Sequence, residues 1–278
     1  MYFSCHTWAF HDLTLVEALG TIGRLGFRYA DIGTGAGFPT NRAVAQAART
    51  ASEIRDELVI NDLQLADLYL MLPRISLADE ERQRKDIDLF KALLPFAAEL
   101  KTPGITVSPG VIAKDKGAFD RTAEALREMT EAATAVQIPL SIEPHLDSMA
   151  ATPTAALKLI ETVPGLRITI DWAQMVCQNI QHDEILRLLP HARHIQIRQA
   201  AKNQLQTTWE KGKVDVAHVV ADLIGGGYSS AVCVEMMNIP GKHGMQKVDF
   251  LRESARMRDT LRDARDRILK EREKEKAK

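Results

Sequence analysis

Three carboxylic acids each end a short apolar run of the kind that forms a buried β-strand. They are Glu143, Asp171 and Glu235, which follow segments 140–142, 168–170 and 232–234. A buried carboxylate needs a compensating partner, and one metal ion would serve all three. Hard divalent cations prefer oxygen ligands, so the pattern predicts a site for Mn²⁺, or else Mg²⁺.

A fourth candidate ligand is Gln196, inside the apolar run 194–198. Side chains alternate along a strand, so His194, Gln196 and Arg198 are expected on one face. Gln196 then lies level with the three carboxylates, and its amide oxygen completes the predicted ligand set. The alternative is that Gln196 only forms hydrogen bonds inside a barrel that has lost its metal.

Other polar and aromatic residues follow the predicted strands and are expected to face the same opening. His145 lies two positions after Glu143, so Glu143, Glu235 and His145 are the predicted catalytic residues. The predicted substrate-binding residues are His6, Trp8, Gln174, Arg198 and Lys202. Each class has a plainer alternative: structural hydrogen bonding for histidine, surface charge for arginine or lysine, and packing for tryptophan.

The elements that must position these residues alternate between short apolar runs and longer amphipathic stretches, which predicts repeated βα units. The predicted strands are 2–6, 28–32, 63–72, 104–108, 139–143, 167–171, 194–198 and 231–236. The predicted helices are 13–25, 41–55, 77–100, 120–135, 154–162, 182–189, 214–225 and 247–268. Eight such units predict an α/β fold, a single-domain (β/α)8 TIM barrel, with its active site at the carboxyl ends of the strands.

One barrel of this kind commonly takes about 250 residues, so the chain's 278 residues do not require a second domain. We assign residues 1–261 to the barrel. Residues 262–278 are dense in charge and lack an apolar stripe near their end, which predicts a charged, solvated helical tail.

The composition of the chain argues against nucleic acid and membranes as partners. The formal net charge is −1, so no strong positive field is available to gather nucleic acid. No apolar run approaches the ~20 residues needed to cross a bilayer, and residues 1–6 show no secretory signal pattern. The three cysteines are widely spaced and form no C-x-x-C pair, which favours free thiols in the cytoplasm.

From residue 2 to about residue 250 the chain resembles the xylose-isomerase-like superfamily of barrels, which contains sugar phosphate isomerases and epimerases. The resemblance is strongest between Ser141 and Glu235. The segments that carry it are Thr14-Leu15-Val16-Glu17-Ala18-Leu19, Leu25-Gly26-Phe27, Ile142-Glu143-Pro144-His145, Gly212-Lys213-Val214-Asp215 and Gly227-Tyr228.

In that superfamily a Glu, an Asp, a His and a Glu from strands five to eight bind one divalent metal. Glu143, Asp171 and Glu235 match three of these ligands, while Gln196 stands where relatives usually have histidine. Gln174 likewise replaces the histidine of an Asp-x-x-His pattern. An amide oxygen can bind Mn²⁺, but it is a weaker donor than imidazole and carries no exchangeable catalytic proton.

The resemblance implies an isomerase or epimerase that acts on a sugar or keto-sugar through a metal-bound enediolate, with Glu143 and Glu235 as acid and base. An alternative is a metal-dependent lyase or dehydratase that expels a leaving group from a keto-sugar, keto-polyol or keto-glycoside. A second alternative is a metal-free binding or accessory subunit. The expected partner is a small carbohydrate, and a homo-oligomer or a partner subunit is left open.

Overall fold

Eight parallel strands form a closed barrel in a computed structural model that describes residues 1–35, 37–239 and 241–276. The strands are β1 Tyr2–His6, β2 Tyr29–Gly33, β3 Gln64–Leu70, β4 Ile105–Val107, β5 Leu140–Ile142, β6 Arg167–Asp171, β7 Ala192–Ile197 and β8 Ala231–Val234. They pair in chain order, and β8 closes the barrel against β1 with Tyr2 opposite Ala231. The predicted (β/α)8 barrel is confirmed.

Helices surround the barrel and begin near the carboxyl ends of the strands. They are α1 Leu15–Arg24, α2 Thr40–Ala45, α3 Ala47–Ile60, α4 Glu80–Leu100, α5 Ala118–Ala135, α6 Pro153–Thr162, α7 Trp172–Cys177, α8 His182–Leu186, α9 Val216–Gly225 and α10 Phe250–Lys276. Side chains that cap the N-terminus determine where several of these helices begin. Thr14 and Glu17 form a capping box at α1, and Asp215 accepts the His218 N–H at the start of α9.

The apolar core lies between the strands and the helices, where buried side chains such as Ile32, Leu68 and Ile170 pack. The barrel interior is polar instead. Thr106 on β4 reaches across to Thr169 on β6, with their hydroxyl oxygens 2.8 Å apart. Branched apolar side chains usually fill the interior of such barrels. The polar and charged side chains found here instead must be paired with one another, because burying them unpaired costs free energy.

The last helix crosses the predicted boundary between barrel and tail without a break. Leu261 and Ala264 on α10 are both buried against the body of the protein. Arg265 also donates a hydrogen bond to the carbonyl of Met1, which joins the last helix to the first strand. Ala277 and Lys278, at the end of the predicted tail, lie outside the described residues.

All three cysteines are buried free thiols, as predicted. Among residues 1–35, 37–239 and 241–276, no helix combines the length and apolar character needed to cross a membrane.

Candidate active site

The three predicted carboxylates meet at one end of the barrel. Glu143 follows β5, Asp171 ends β6 and Glu235 follows β8. One oxygen of each lies within 4.8 Å of the others, and all three side chains are buried. The convergence follows from the fold, because the carboxyl ends of parallel strands share one rim of the barrel.

Gln196 lies level with these carboxylates, as predicted from strand alternation. It stands opposite Asp171 on β6 and opposite Cys233 on β8. Its side chain is fully buried, yet neither its amide oxygen nor its amide nitrogen has a hydrogen-bond partner among the described residues. A buried polar group left unpaired costs about 1–3 kcal/mol, so this amide is available to a ligand.

Arg198 directly follows β7, and its guanidinium pairs with the protein instead of lining the cavity. Its Nη1 donates to a carboxylate oxygen of Glu235 at 2.5 Å and to the Glu235 carbonyl at 3.1 Å. Its Nη2 lies 2.9 Å from Oδ2 of Asp171, close enough for an ion pair but not aligned as a hydrogen bond. Through these contacts the guanidinium bridges two of the three carboxylates, and it is fully buried.

The electrostatics of the cluster favour binding of positive charge. When all are ionised, three carboxylates and the one guanidinium of Arg198 leave two negative charges. Burial, with the charge of Asp171, raises the pKa of Glu143 to about 8. Burial also raises the pKa of Asp171, and that of Glu235 well above its usual value, although Arg198 opposes both shifts. Protons and a divalent cation therefore compete for these oxygens.

A divalent cation fits the residues present. Its two positive charges would balance the two negative charges that Arg198 leaves uncompensated. The three carboxylates and the unpaired amide oxygen of Gln196 form an all-oxygen donor set, which is the preference of Mn²⁺ and Mg²⁺.

Tyr69 holds Glu143 in place and was not identified from the sequence. Its hydroxyl donates to Oε2 of Glu143 at 2.5 Å, and it is fully buried near the end of β3. Burial and the neighbouring Glu143 raise the pKa of Tyr69 well above its usual value, so the phenol keeps its proton and remains a donor. Strand alternation could have found it, because Asp67 and Tyr69 share the inward face of β3.

Above the cluster lies a cavity of about 380 Å³. Among the predicted site residues, those that line it are Glu143, Glu235, His145, Gln174 and Trp8. Apolar side chains form much of the remaining wall, including Met71, Val111, Leu146, Leu205, Met237 and Met245. Two glutamates thus reach a space of the size that small-molecule ligands occupy.

Other predicted substrate-binding residues lie away from this cavity. His6 is fully buried, and its Nδ1 accepts the backbone N–H of Trp8. Lys202 is exposed in the loop after β7. Asp171, Gln196 and Arg198 lie deeper than the cavity wall, so only a small group or ion that enters the barrel would reach them.

His145 lines the cavity with both ring nitrogens engaged. Its Nδ1 lies 2.7 Å from the Leu146 carbonyl, which accepts only from a protonated nitrogen. Its Nε2 then accepts from the Ser108 hydroxyl at 2.8 Å. Burial lowers the pKa of His145, so the ring is neutral at pH 7. This arrangement favours the structural alternative for His145 over proton transfer.

The family model for the xylose isomerase-like TIM barrel matches residues 21–259. The chain belongs to this family. No curated protein matches the sequence.

Solved structures share the barrel at low sequence identity. D-psicose 3-epimerase with D-tagatose from Clostridium cellulolyticum H10 is 15% identical, with a TM-score of 0.77 over 95% of this chain and 99% of that one. 3-Keto-D-glucoside 4-epimerase from E. coli is 18% identical, with a TM-score of 0.71 over 95% and 99%. The probable 3-DHS dehydratase of petrobactin synthesis from Bacillus anthracis is 16% identical, with a TM-score of 0.73 over 92% and 98%. At these identities the likeness establishes the fold.

Proposed function

We propose that this family member is an isomerase or epimerase that moves a proton at a carbon beside the carbonyl of a sugar or keto-sugar. The observation that carries the proposal is the pair of glutamates, Glu143 and Glu235, which both line the cavity above a buried charge cluster. Two epimerases of sugars among the structural neighbours have the same barrel, which supports this reaction class.

The chain's own residues divide the work between proton transfer and positioning. Glu143, held by Tyr69, removes the proton. Glu235, held by Arg198, returns a proton to the same carbon or to its neighbour. Gln174 and Trp8 line the cavity and contact the sugar, while the apolar wall excludes water from the reacting carbon.

Glu143, Asp171, Gln196 and Glu235 are the residues that would hold Mn²⁺ or Mg²⁺. Such a cation polarises a substrate carbonyl and stabilises the negative charge that develops on its oxygen. Arg198 forms ion pairs with both Asp171 and Glu235.

Two alternatives each have a supporting observation. Removal of the same proton can be followed by loss of a leaving group, and a probable dehydratase shares this barrel. In that case the protein is a lyase acting on a keto-sugar, keto-polyol or keto-glycoside. The second alternative is a metal-free binding or accessory subunit, which is favoured by the ion pairs that Arg198 already makes with two predicted ligands.

The first test measures the metal. Protein purified without chelator and analysed by elemental mass spectrometry is expected to hold one Mn²⁺ or Mg²⁺ per chain, and chelator is expected to abolish activity. Absence of a stoichiometric metal, together with activity that chelator does not change, rejects the metal-dependent mechanism. Absence of both metal and activity supports the accessory subunit.

The second test measures proton transfer. Candidate ketoses, keto-glycosides and keto-polyols are incubated in deuterated water, and deuterium at the carbon beside the carbonyl is followed by NMR. Glu235→Gln is expected to slow exchange about 10²–10⁴-fold, the usual effect of losing a general acid or base. Glu131→Gln, at an exposed position on α5, is the matched control and is expected to exchange at the wild-type rate. Exchange at full rate in Glu235→Gln removes this residue from the mechanism.

Several finer properties remain predictions. We expect a small carbohydrate substrate and a cytoplasmic location. Assembly as a homo-oligomer or with a partner subunit that covers the cavity would be visible by light scattering and in pull-downs from the native cell.

A further inference from the structure

Outside the barrel, two histidines and an aspartate form a second cluster, where the helices after β6 and β7 begin. His182 starts α8, whereas His218 and Asp222 lie one turn apart on α9. The Nε2 atoms of His182 and His218 lie 2.6 and 3.4 Å from Oδ2 of Asp222. One ligand atom from each residue lies within 4.8 Å of the others.

The arrangement of the two rings favours a metal over a simple ion pair. The imidazoles stack with centroids 4.3 Å apart and an angle of 26° between their planes. Both Nε2 atoms are directed towards one carboxylate oxygen, and Nε2 of His182 forms a hydrogen bond to it. An imidazole that carries its proton on Nδ1 has a lone pair on Nε2, so the two rings and the carboxylate can supply three donor atoms to one cation in place of that hydrogen bond.

The donor set selects a different metal from the barrel site. Imidazole nitrogen suits Zn²⁺ and similar transition ions, whereas the all-oxygen cluster around Asp171 suits harder cations. The i, i+4 spacing of His218 and Asp222 places both on one helix face, as in helical zinc sites. His182, from the neighbouring element, supplies the third ligand.

There is room for an ion and its water. His182 and His218 line a surface cavity of about 330 Å³, together with Asn179, Lys213 and Asp215. Lys213 and Asp215 carry opposite charges, so the cavity wall neither strongly attracts nor repels a cation. Partial exposure of all three ligands leaves a path for the ion to enter.

We propose that His182, His218 and Asp222 bind one Zn²⁺, with water completing the coordination. The ion joins α8 to α9 beside Trp172, whose ring lies 6.0 Å from that of His182. Trp172 directly follows Asp171, so a zinc ion held by His182 would stabilise the segment that carries Asp171. The proposal does not depend on the function of the barrel site.

The test is a titration of tag-free, chelator-treated protein with Zn²⁺ by isothermal calorimetry, paired with thermal unfolding. Wild-type protein is expected to bind Zn²⁺ at this site and to unfold at a higher temperature when Zn²⁺ is added. His218→Asn is expected to lose one equivalent of Zn²⁺ and this rise in Tm. The His218 side chain is 57% exposed, so its replacement leaves the metal-free fold intact.

Three further variants distinguish zinc at this cluster from zinc at the barrel site or at another histidine. His191→Asn, at a partly exposed histidine before β7, is the matched control and is expected to bind like wild type. Glu235→Gln removes a ligand of the barrel site and is expected to keep the equivalent that His218→Asn loses. Asp222→Asn is expected to weaken the same site about tenfold or more. Equal stoichiometry and equal Tm shifts in wild type and His218→Asn overturn the proposal.

Discussion

Two layers of buried charge fill the barrel interior, and they differ in how completely the protein neutralises them. The upper layer, at the mouth, contains Glu143, Asp171, Gln196, Arg198 and Glu235. The lower layer, beneath it, contains Asp31, Asp67, Thr106, Arg193 and His194. In the upper layer three carboxylates face one guanidinium and an unpaired amide. In the lower layer each carboxylate has its own basic partner.

The lower layer pairs each carboxylate with a basic side chain. Nη2 of Arg193 lies 2.8 Å from Oδ1 of Asp67 and also donates to the hydroxyl of Thr106. Nε2 of His194 lies 2.6 Å from Oδ2 of Asp31. Although burial opposes it, His194 holds the pKa of Asp31 below its usual value. Buried carboxylates are therefore not sufficient to identify a ligand site, because those of the lower layer each have a basic partner within the protein.

The largest expected effect tests the lower layer. Arg193→Met removes the basic partner of Asp67 and leaves a buried carboxylate uncompensated, which is expected to cost about 3–5 kcal/mol of unfolding free energy. Urea denaturation measures this loss. The double variant Arg193→Met/Asp67→Asn is expected to recover part of it, since the unpaired charge is gone. A loss below about 1 kcal/mol in the single variant would remove the structural role assigned to this pair.

His6, at the end of β1 and opposite Asp31 of the lower layer, should make the stability of the protein depend on pH. Burial lowers the pKa of His6 from 6.5 to about 4; the charge of Asp31 opposes this shift, whereas His194 and Arg198 act in the same direction as burial. Below pH 6.5 the unfolded chain gains a proton that folded His6 does not accept, so stability falls as the pH approaches 4. The shift corresponds to about 3 kcal/mol at full effect.

The measurement compares metal-free wild type with His6→Asn. We expect the unfolding free energy of the wild type to decrease more between pH 7 and pH 4 than that of the variant, because asparagine does not titrate. Parallel pH profiles for the two proteins would show that folded His6 accepts its proton normally.

The smallest expected effect tests the upper layer. Gln196→His restores the stronger imidazole donor and is expected to increase Mn²⁺ affinity about tenfold in calorimetry. Gln196→Met, similar in length but without an oxygen donor, is expected to weaken binding. Unchanged affinity in both variants would mean that Gln196 is not a ligand, and that the upper layer acquires its cation without it.

Much of the upper layer was predictable because strand periodicity and barrel closure determine it. Parallel strands covered on both sides appear as continuous apolar runs, so the carboxylates that end them were visible. Alternation along β7 also predicted Gln196 to lie level with the carboxylates, and in the structure it stands opposite Asp171. The short helix α7 was not predicted, because six residues are too few to show a helical period; Asp171 caps it through the Ala173 N–H.

The charge partners were harder to predict, because they depend on which direction a long side chain takes across the barrel. Arg198 was expected to face the substrate, but it pairs with residues on β6 and β8. Arg193 was missed for a local reason: β7 was predicted from 194 and begins at Ala192. A shift of two residues in the predicted strand boundary was enough to conceal Arg193, one of the two basic residues of the lower layer.

The pairing of β1 with β8 can form only after the last strand of the barrel has been synthesised. Tyr2 pairs with Ala231, so this contact has a far larger loop to close than any pairing of consecutive strands. During synthesis, β5 and β6 emerge together and bring Glu143 and Asp171 with them, whereas Glu235 follows the strand that completes the ring. Glu235 is therefore synthesised after Glu143 and Asp171, and a nascent chain without β8 carries only part of the site.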